Sequence, residues 1–406
     1  MKNIGEIRDL CTGCGTCAAM CPREIIEMNV NRKKGIYEPI IVGECDECGV
    51  CIKVCPGVSV DFRELNREIF GYEGEDMLIG NYKACYVAHS TNEKLRYDAS
   101  SGGMVTQILI HLLNKGIIDG ALVTHMNPKK PLEPEPFIAR TPEDIIEAAG
   151  SKYCPVPANI ALKEILKKPG RYAVVGLPCH IQGVRKAEII NRKLKERIVY
   201  HLGIVCNHTP SFKATEFLLE KLGVSKNEVK SIKYRGEGWP GSLKIETTTG
   251  QILLLLPEYW GSGFGQLFIP PRCRRCSDHM AELSDMSFAD PWLREFEGEN
   301  IGKTLIVLRK DIKILDDLKK EGLCNLEPIE AEKVLLSQLY NIYMKKKVHM
   351  IDNDLYKGRF PEIDLIDKLI SIFEPEKLRI PKKLIKIYMT LYSILVSLKA
   401  RKDFLM

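Results

Sequence analysis

A run of four cysteines, Cys11, Cys14, Cys17 and Cys21 with Pro22 directly behind, returns as Cys45, Cys48, Cys51 and Cys55 followed by Pro56. Both copies read C-x2-C-x2-C-x3-C-P, the spacing that wraps a cubane iron-sulfur cluster. Where two such runs stand together, three neighbouring thiolates grip one cubane and the fourth reaches across to the other. The expected sets are therefore Cys11, Cys14, Cys17 and Cys55 on one cluster, and Cys45, Cys48, Cys51 and Cys21 on its neighbour. Gly13, Gly15 and Gly49 lie between the ligands, where they let backbone amides approach the sulfurs. Zinc is the weaker alternative, because it takes paired C-x2-C units and has no use for a third cysteine at the same spacing. Disulfides are weaker still, since cysteines three apart in a tight loop rarely reach bridging geometry.

Residues 1–62 are thus expected to form a bacterial-type ferredoxin module with two 4Fe-4S clusters, its loops flanked by short strands such as Ile36-Tyr37-Glu38. The charged, glycine-bearing stretch over 63–81 reads as a linker. A chain of 406 residues that is 45% apolar can bury two or three cores. It opens without an apolar h-region, and no run approaches the roughly 20 apolar residues that span a bilayer. A cytoplasmic, reducing compartment is expected, where 15 cysteines point to metal or redox chemistry. The net charge of +6 is mild, and no basic patch with interleaved aromatics marks a nucleic-acid partner.

From Tyr82 onward, strand and helix patterns alternate. Apolar runs at 84–89, 120–125, 172–177 and 197–205 read as strands, and 104–114, 142–149, 158–168 and 212–222 as helices, with Thr141 and Asp144 forming a capping box. Residues 230–257 read as a hairpin-rich insertion turning at Gly250, and the chain is expected to be helical from about 312 to its end. The fold class is α/β: an α+β ferredoxin module fused to an α/β core over 82–335, then a helical extension over 336–406. Ligands belong near the carboxyl ends of the core strands.

Three places in the core carry chemistry. Gly102 and Gly103, between Ser101 and a helix start that includes Thr106, could offer amides to an anion or could be an ordinary capped turn. Ser151, Lys152 and Tyr153 could hold a phosphate and stack on a ring, although a solvent-exposed loop is the simpler reading. The third is a dispersed cysteine set: Cys179 in Gly176-Leu-Pro-Cys-His180, Cys206 in Gly203-Ile-Val-Cys206, and Cys273 with Cys276 in a Pro/Arg-rich loop. Cys179 and Cys206 each follow an apolar strand and so emerge at one sheet edge, where the C-x2-C loop can complete four thiolates for a third 4Fe-4S cluster. A zinc site, or unrelated thiols with a redox C-x-x-C, are the alternatives. Arg272, Arg274 and Arg275 would offset the charge of a thiolate cluster. Cys85, Cys154 and Cys324 have no partners at ligand spacing and read as core thiols.

Together, Gly102-Gly103 with Thr106, Ala149-Gly-Ser-Lys-Tyr153, Gly176 to Gly183, Gly203 to Cys206 and Cys273 to Asp285 resemble the family of coenzyme F420 hydrogenase and dehydrogenase β-subunits. Coverage runs over about residues 82–335, and the ferredoxin module makes the chain most similar to the electron-input subunit of the F420H2 dehydrogenase. The resemblance implies FAD in the core, with Gly102, Gly103, Thr106, Ser151, Lys152 and Tyr153 in its site, and Cys179, Cys206, Cys273 and Cys276 as cluster ligands. It further implies an archaeal oxidoreductase that moves electrons between reduced coenzyme F420, FAD, three 4Fe-4S clusters and a redox partner. Lys152, Arg235 and Arg272 are the cations expected for the polyanionic tail of coenzyme F420, and Glu282 to Trp292 either line the flavin or form a structural strand. His180 and His208, beside cluster ligands, are expected to be hydrogen-bonding neighbours more than proton carriers. A ferredoxin-fed flavin reductase of an organic substrate, or a relay subunit without a substrate, are the alternative functions. The apolar helix expected over 381–402, bracketed by lysines and arginines, would pack on its own protein or a second copy, or dock on a partner or a membrane surface.

Overall fold

The computed structural model describes residues 3–351, apart from 75 and 77. The N-terminal module pairs β1 (Ile26–Asn31) antiparallel with β2 (Ile36–Ile41). The next strands are β3 (Ala84–Ser90), β4 (Gly120–Asn127), β5 (Lys130–Ala139), β6 (Tyr172–Gly176) and β7 (Ile198–Ile204). There follow β8 (Val229–Lys233), β9 (Ser242–Thr247), β10 (Gln251–Leu255), β11 (Met286–Ala289), β12 (Thr304–Leu308) and β13 (Cys324–Pro328). Among the described residues the core is an 8-stranded mixed sheet in the order β13-β3-β12-β11-β7-β6-β4-β5, while β10-β9-β8 make a small antiparallel sheet.

The middle of the large sheet is parallel, through β4, β6, β7 and β11, and helices cover both of its faces. Along β4, Ala121 and Val123 pack with Met104, Ile108 and Leu112 of the Met104–Asn114 helix, whereas Leu122 packs with Ile181 and Val184 of the Pro178–Ile190 helix. Because alternate residues face alternate helices, both sets must be apolar, which is why these strands read as continuous apolar runs.

Several elements differ from the sequence expectation. The stretch from 312 is interrupted: a helix at Ile314–Lys320 gives way to β13 on the sheet edge, antiparallel to β3, before the Ala331–Ile351 helix. β13 buries only Cys324 and Leu326, too short an alternation to stand out between charged helices. β5 carries Pro131, Pro134 and Pro136 and lies at the opposite edge, where missing N–H groups go unpaired without cost to the ladder. Residues 158–168 form a 3-10 turn at Ala158–Ala161 and then a short helix at Leu162–Lys167. The stretch read as a linker opens with the Phe62–Phe70 helix, capped by Asp61 Oδ1, which accepts from Arg63 N and Glu64 N at 3.0 Å each. Its Phe62 and Leu65 are buried in the same cluster as Leu162 and Ile165 of the core, so the segment fastens the module down. The apolar stretch over 381–402 lies outside the described residues, and among the described residues no helix is long and apolar enough to cross a membrane.

The seam between module and core is tight and polar. Asn159 N donates to Cys14 O at 2.9 Å, while Asn159 Nδ2 donates to Thr16 Oγ1 (2.8 Å) and to His180 O (2.9 Å). Lys186 Nζ reaches Cys55 O at 2.8 Å and Ser59 O at 2.6 Å. A Cβ at Gly183, inside the Pro178–Ile190 helix, would lie 2.2 Å from Thr16 Oγ1. Helix propensity alone favours Gly183→Ala by about 1 kcal/mol. Thr16 is fully buried and held by Asn159, so it cannot yield, and overpacking of this kind costs about 1–3 kcal/mol. Gly183→Ala should therefore lower the thermal midpoint of the intact protein, and adding Thr16→Ala should restore part of it; a raised midpoint in the single variant would contradict this seam.

Candidate functional site

Strands β6 and β7 run parallel with Gly176 opposite Gly203, so both end at the same edge. One turn beyond β6, Cys179 sits in the first turn of the Pro178–Ile190 helix, which Pro178 can open because its missing N–H has no helical partner there. Two residues beyond β7 comes Cys206, whose N–H donates to His279 O at 2.9 Å. Cys273 lies on a single helical turn, Pro271–Arg274, where an irregular loop was expected, and Cys276 follows with its Sγ 3.4 Å from Asp278 O. All four thiols line one cavity, and Cys11, Thr12, Gly13 and Tyr37 of the N-terminal module line it too.

The cysteines of the two runs fall into two groups. Cys11, Cys14, Cys17 and Cys55 are buried together; burial raises the Cys11, Cys17 and Cys55 thiols and their neighbours in the set raise them further, with Cys55 at about 11. Cys21, Cys45, Cys48 and Cys51 line a second cavity, and Cys45 and Cys48 are exposed. Gly13 and Gly49 hold left-handed φ angles of 71° and 72°, and Gly13 N donates to Cys11 Sγ at 3.3 Å. Burial drives the Cys179 thiol well above its ordinary value, and the cavity wall that Cys11 shares with the four dispersed cysteines sets the dispersed set beside the Cys11 set. Three tiers result: dispersed cysteines, then the Cys11 set, then the half-exposed Cys21 set.

Burial pushes Cys206 up to about 12 and Cys273 in the same direction. At Cys276 burial acts the same way, but Lys345 and Arg272 outweigh it and hold that thiol below its ordinary value. Metal binding here must therefore release protons from most of these thiols. His180 accepts from Leu177 N at Nδ1 (3.2 Å) and donates from Nε2 to Val156 O (3.1 Å), and burial lowers its pKa to about 4. His208 donates to Gly265 O and is likewise carried down to about 4 by burial. Both are neutral bracing groups.

The two core loops singled out in the sequence also meet. Ser151 N donates to Ser100 Oγ at 2.7 Å, and Gly102 N to Thr304 Oγ1 at 2.9 Å. A Cβ at Gly102 would sit 2.5 Å from Ala88 O, and one at Gly103, where φ is +76°, 2.5 Å from Leu95, so close packing accounts for both glycines. Thr106 is buried in the first turn of the following helix, whose leading amides have no partner within their own helix. Beyond Ser151 the chain reaches the cysteine cavity: Tyr153 meets Trp260 at 4.8 Å between ring centroids, Trp260 meets His208 at 5.9 Å, and Pro155, Val156 and His208 line the cavity.

Two of the three expected anion-binding cations are spent elsewhere. Lys152 Nζ donates to Ala148 O (2.5 Å), Ala149 O (3.1 Å) and Gly150 O (2.9 Å). Burial lowers its pKa to about 7, but three acceptors need three donors, which only the ammonium supplies. Arg235 is buried and forks onto Asp290 at 2.7 and 2.8 Å while its Nε donates to Pro240 O. Arg272 is in the cavity wall and donates to Pro56 O at 3.1 Å. The carboxylates of the 282–292 string are committed as well: Glu282 to Lys346, Asp285 to Arg185, and Asp290 to Arg235 and Trp239. Sequence reasoning missed Lys345 and Asp278 in the cavity wall, the latter fixed by Gln182 Nε2 at 2.9 Å. Asp278 follows Cys276 by two residues within the motif but was given no role, whereas Lys345 has no spacing relation to the cysteines that could have announced it.

Family models match two stretches of the core: residues 85–163 as the N-terminal part, and 170–332 as the C-terminal part, of the coenzyme F420 hydrogenase/dehydrogenase beta subunit. The chain belongs to that family. Residues 10–60 match a 4Fe-4S dicluster domain, so this family member carries an iron-sulfur electron-transfer module ahead of the beta-subunit core. The chain is 30% identical over 279 residues to the coenzyme F420 hydrogenase subunit beta of Methanothermobacter thermautotrophicus, covering 67% of this chain and 93% of that one. It is 26% identical over 346 residues to a subunit of the F(420)H(2) dehydrogenase of Methanosarcina mazei, covering 78% of this chain and 88% of that one. The fold is that of a chain in the F420-reducing [NiFe] hydrogenase complex from Methanosarcina barkeri, with a TM-score of 0.55 and 24% identity over 68% of this chain and 94% of that one.

Proposed function

We propose that this member of the beta-subunit group is an F420-dependent oxidoreductase that passes electrons between reduced coenzyme F420 and a row of three 4Fe-4S clusters leading to a partner protein. The observation that carries this reading is the single cavity in which thiols from three separate core segments meet the Cys11 loop of the iron-sulfur module. The donor set fits a cubane: four thiols, with Lys345 and Arg272 to offset their charge.

In this reading Cys179, Cys206, Cys273 and Cys276 hold the core cluster. Cys11, Cys14, Cys17 and Cys55 hold the second, and Cys21, Cys45, Cys48 and Cys51 the third. The loops bearing Gly102, Gly103, Thr106, Ser151, Lys152 and Tyr153 hold FAD, with Lys152 bracing its own loop so that backbone amides face the cofactor. A flavin bound there would supply the conversion of a two-electron hydride from coenzyme F420 into single electrons that clusters can carry. Tyr153, Trp260 and His208 span the ground between these loops and the core cavity and exclude water from it. Gly13 N–H hydrogen-bonds the Cys11 sulfur and so bears on the potential of the second cluster. The exposure of Cys45 and Cys48 supports electron exchange between the third cluster and a partner.

Anaerobically purified protein should hold about twelve irons and one flavin per chain, and reduced coenzyme F420 should bleach the flavin absorbance. A flavin that ignores reduced coenzyme F420 but bleaches with reduced ferredoxin would replace this reading with a ferredoxin-fed reductase.

A further inference from the structure

The Ala331–Ile351 helix brings a cation into the wall of the core cavity from far outside any cysteine motif. Its register is fixed at several points along one face. Gln338 Nε2 donates to Asp290 O at 2.8 Å and Gln338 Oε1 meets His279 Nε2 at 3.1 Å. Ile342 and Tyr343 are buried in the cluster that contains Val87, Met280 and Leu305. Lys346 Nζ meets Glu282 Oε1 at 2.6 Å, with both side chains buried. Lys345, seven residues beyond Gln338 and so on the same face two turns on, lines the cavity beside Cys206, Cys273 and Cys276 and is only 6% exposed.

Resting on the proposed core cluster, we infer that Lys345 is a positioning residue for electron transfer: its buried charge raises the reduction potential of that cluster and makes it the first stop for electrons entering the row. The step is uptake of one electron, with no bond made or broken. Reduced coenzyme F420 supplies the electron in the proposed reaction, and dithionite supplies it in the test. A cluster held by four thiolates gains negative charge on reduction, so a fixed cation nearby stabilises the reduced form more than the oxidised one. Arg272 stands in the same wall and adds its own charge, while its guanidinium also donates to Pro56 O at the seam with the N-terminal module. That Lys345 is the largest charged influence on Cys206, Cys273 and Cys276 agrees with the geometry.

The test is a dithionite potentiometric titration of the full-length, anaerobically purified protein followed by electron paramagnetic resonance. The core signal is identified as the one lost in Cys276→Ala. In Lys345→Met and Lys345→Gln the reduced-to-oxidised ratio of the core cluster at fixed potential should fall about tenfold or more, which is 59 mV for a one-electron couple. Lys345→Arg should stay close to wild type, and the signals of the two N-terminal clusters should move much less. An unmoved core potential in both neutral variants, with the signal present, overturns the inference. Loss of about four irons in both neutral variants, with the remaining clusters intact, overturns it in favour of a purely structural role. Wild-type protein with about eight irons and no signal sensitive to Cys276→Ala would instead remove the core cluster itself, and the proposed function with it.

Discussion

Cys276→Ala should strip about four of about twelve irons from the purified protein and leave the N-terminal cluster signals intact. Cys276 stands in the wall of the core cavity with Cys179, Cys206 and Cys273, and among the described residues no thiol outside these four and Cys11 lines that cavity. Cys11 is already grouped with Cys14, Cys17 and Cys55, so no spare ligand is at hand among them. Cys324→Ala is the control: this thiol is buried among Ile306, Leu318 and Leu326 beneath the sheet edge and should change packing but not iron. Unchanged iron in Cys276→Ala would remove the core cluster from the account.

The second large effect concerns the ion network beneath the Cys179 helix. Arg185 donates to Asp285 (2.8 Å), Glu188 (3.1 Å) and Leu283 O (2.9 Å), and His201 sits between the same two carboxylates at 3.0 and 2.6 Å. All four side chains are buried, and together they tie the Pro178–Ile190 helix to β7 and to the start of β11. Removing one member of a buried, hydrogen-bonded charge group costs about 3–5 kcal/mol, because the remaining charges stay buried without compensation. Arg185→Met should therefore lower the thermal midpoint by about 5–15 °C. Lys310→Met, which takes a partly exposed cation from the same Asp285, should cost less than about 1 kcal/mol. Equal effects from the two variants would contradict the network's role. Burial alone would raise the Asp285 and Glu188 carboxyls, but Arg185 and His201 hold both below their ordinary 3.8 and 4.5. The stability they add is complete above those values and is lost as the pH falls through the lowered ones.

What the sequence revealed followed from how local each constraint is. The cysteine runs were legible because cubane ligation fixes spacing within a dozen residues, and the separation into the Cys11 and Cys21 sets follows from that spacing. Cys179 and Cys206 were legible because each trails a buried parallel strand, and parallel strands end at a common edge. The central strands and most helices carried the periodicity that burial on two faces imposes. The edge strands β5 and β13 did not, since one is broken by prolines and the other buries only two side chains. The seam rests on single residues such as Thr16, Asn159 and Gly183, whose partners are far away in sequence, and no local pattern marks them. Lys345 was hidden for a related reason: a run of three lysines on a helix reads as a solvated face, and only the packing of Gln338, Ile342 and Lys346 turns that face inward. Arg235 and Lys152 misled in the opposite sense, because a cation beside a glycine loop suggests an anion site until its internal partners are visible.

The most direct test of the row is to mix the oxidised protein anaerobically with reduced coenzyme F420, freeze it at successive times and read the clusters by electron paramagnetic resonance. In wild type the signals of the Cys11 and Cys21 sets should appear, whereas in Cys276→Ala the flavin should still bleach while both N-terminal sets stay oxidised over the same interval. Equally fast reduction of those sets in the variant would show that electrons reach them without passing through the dispersed cysteines, and would contradict the proposed row.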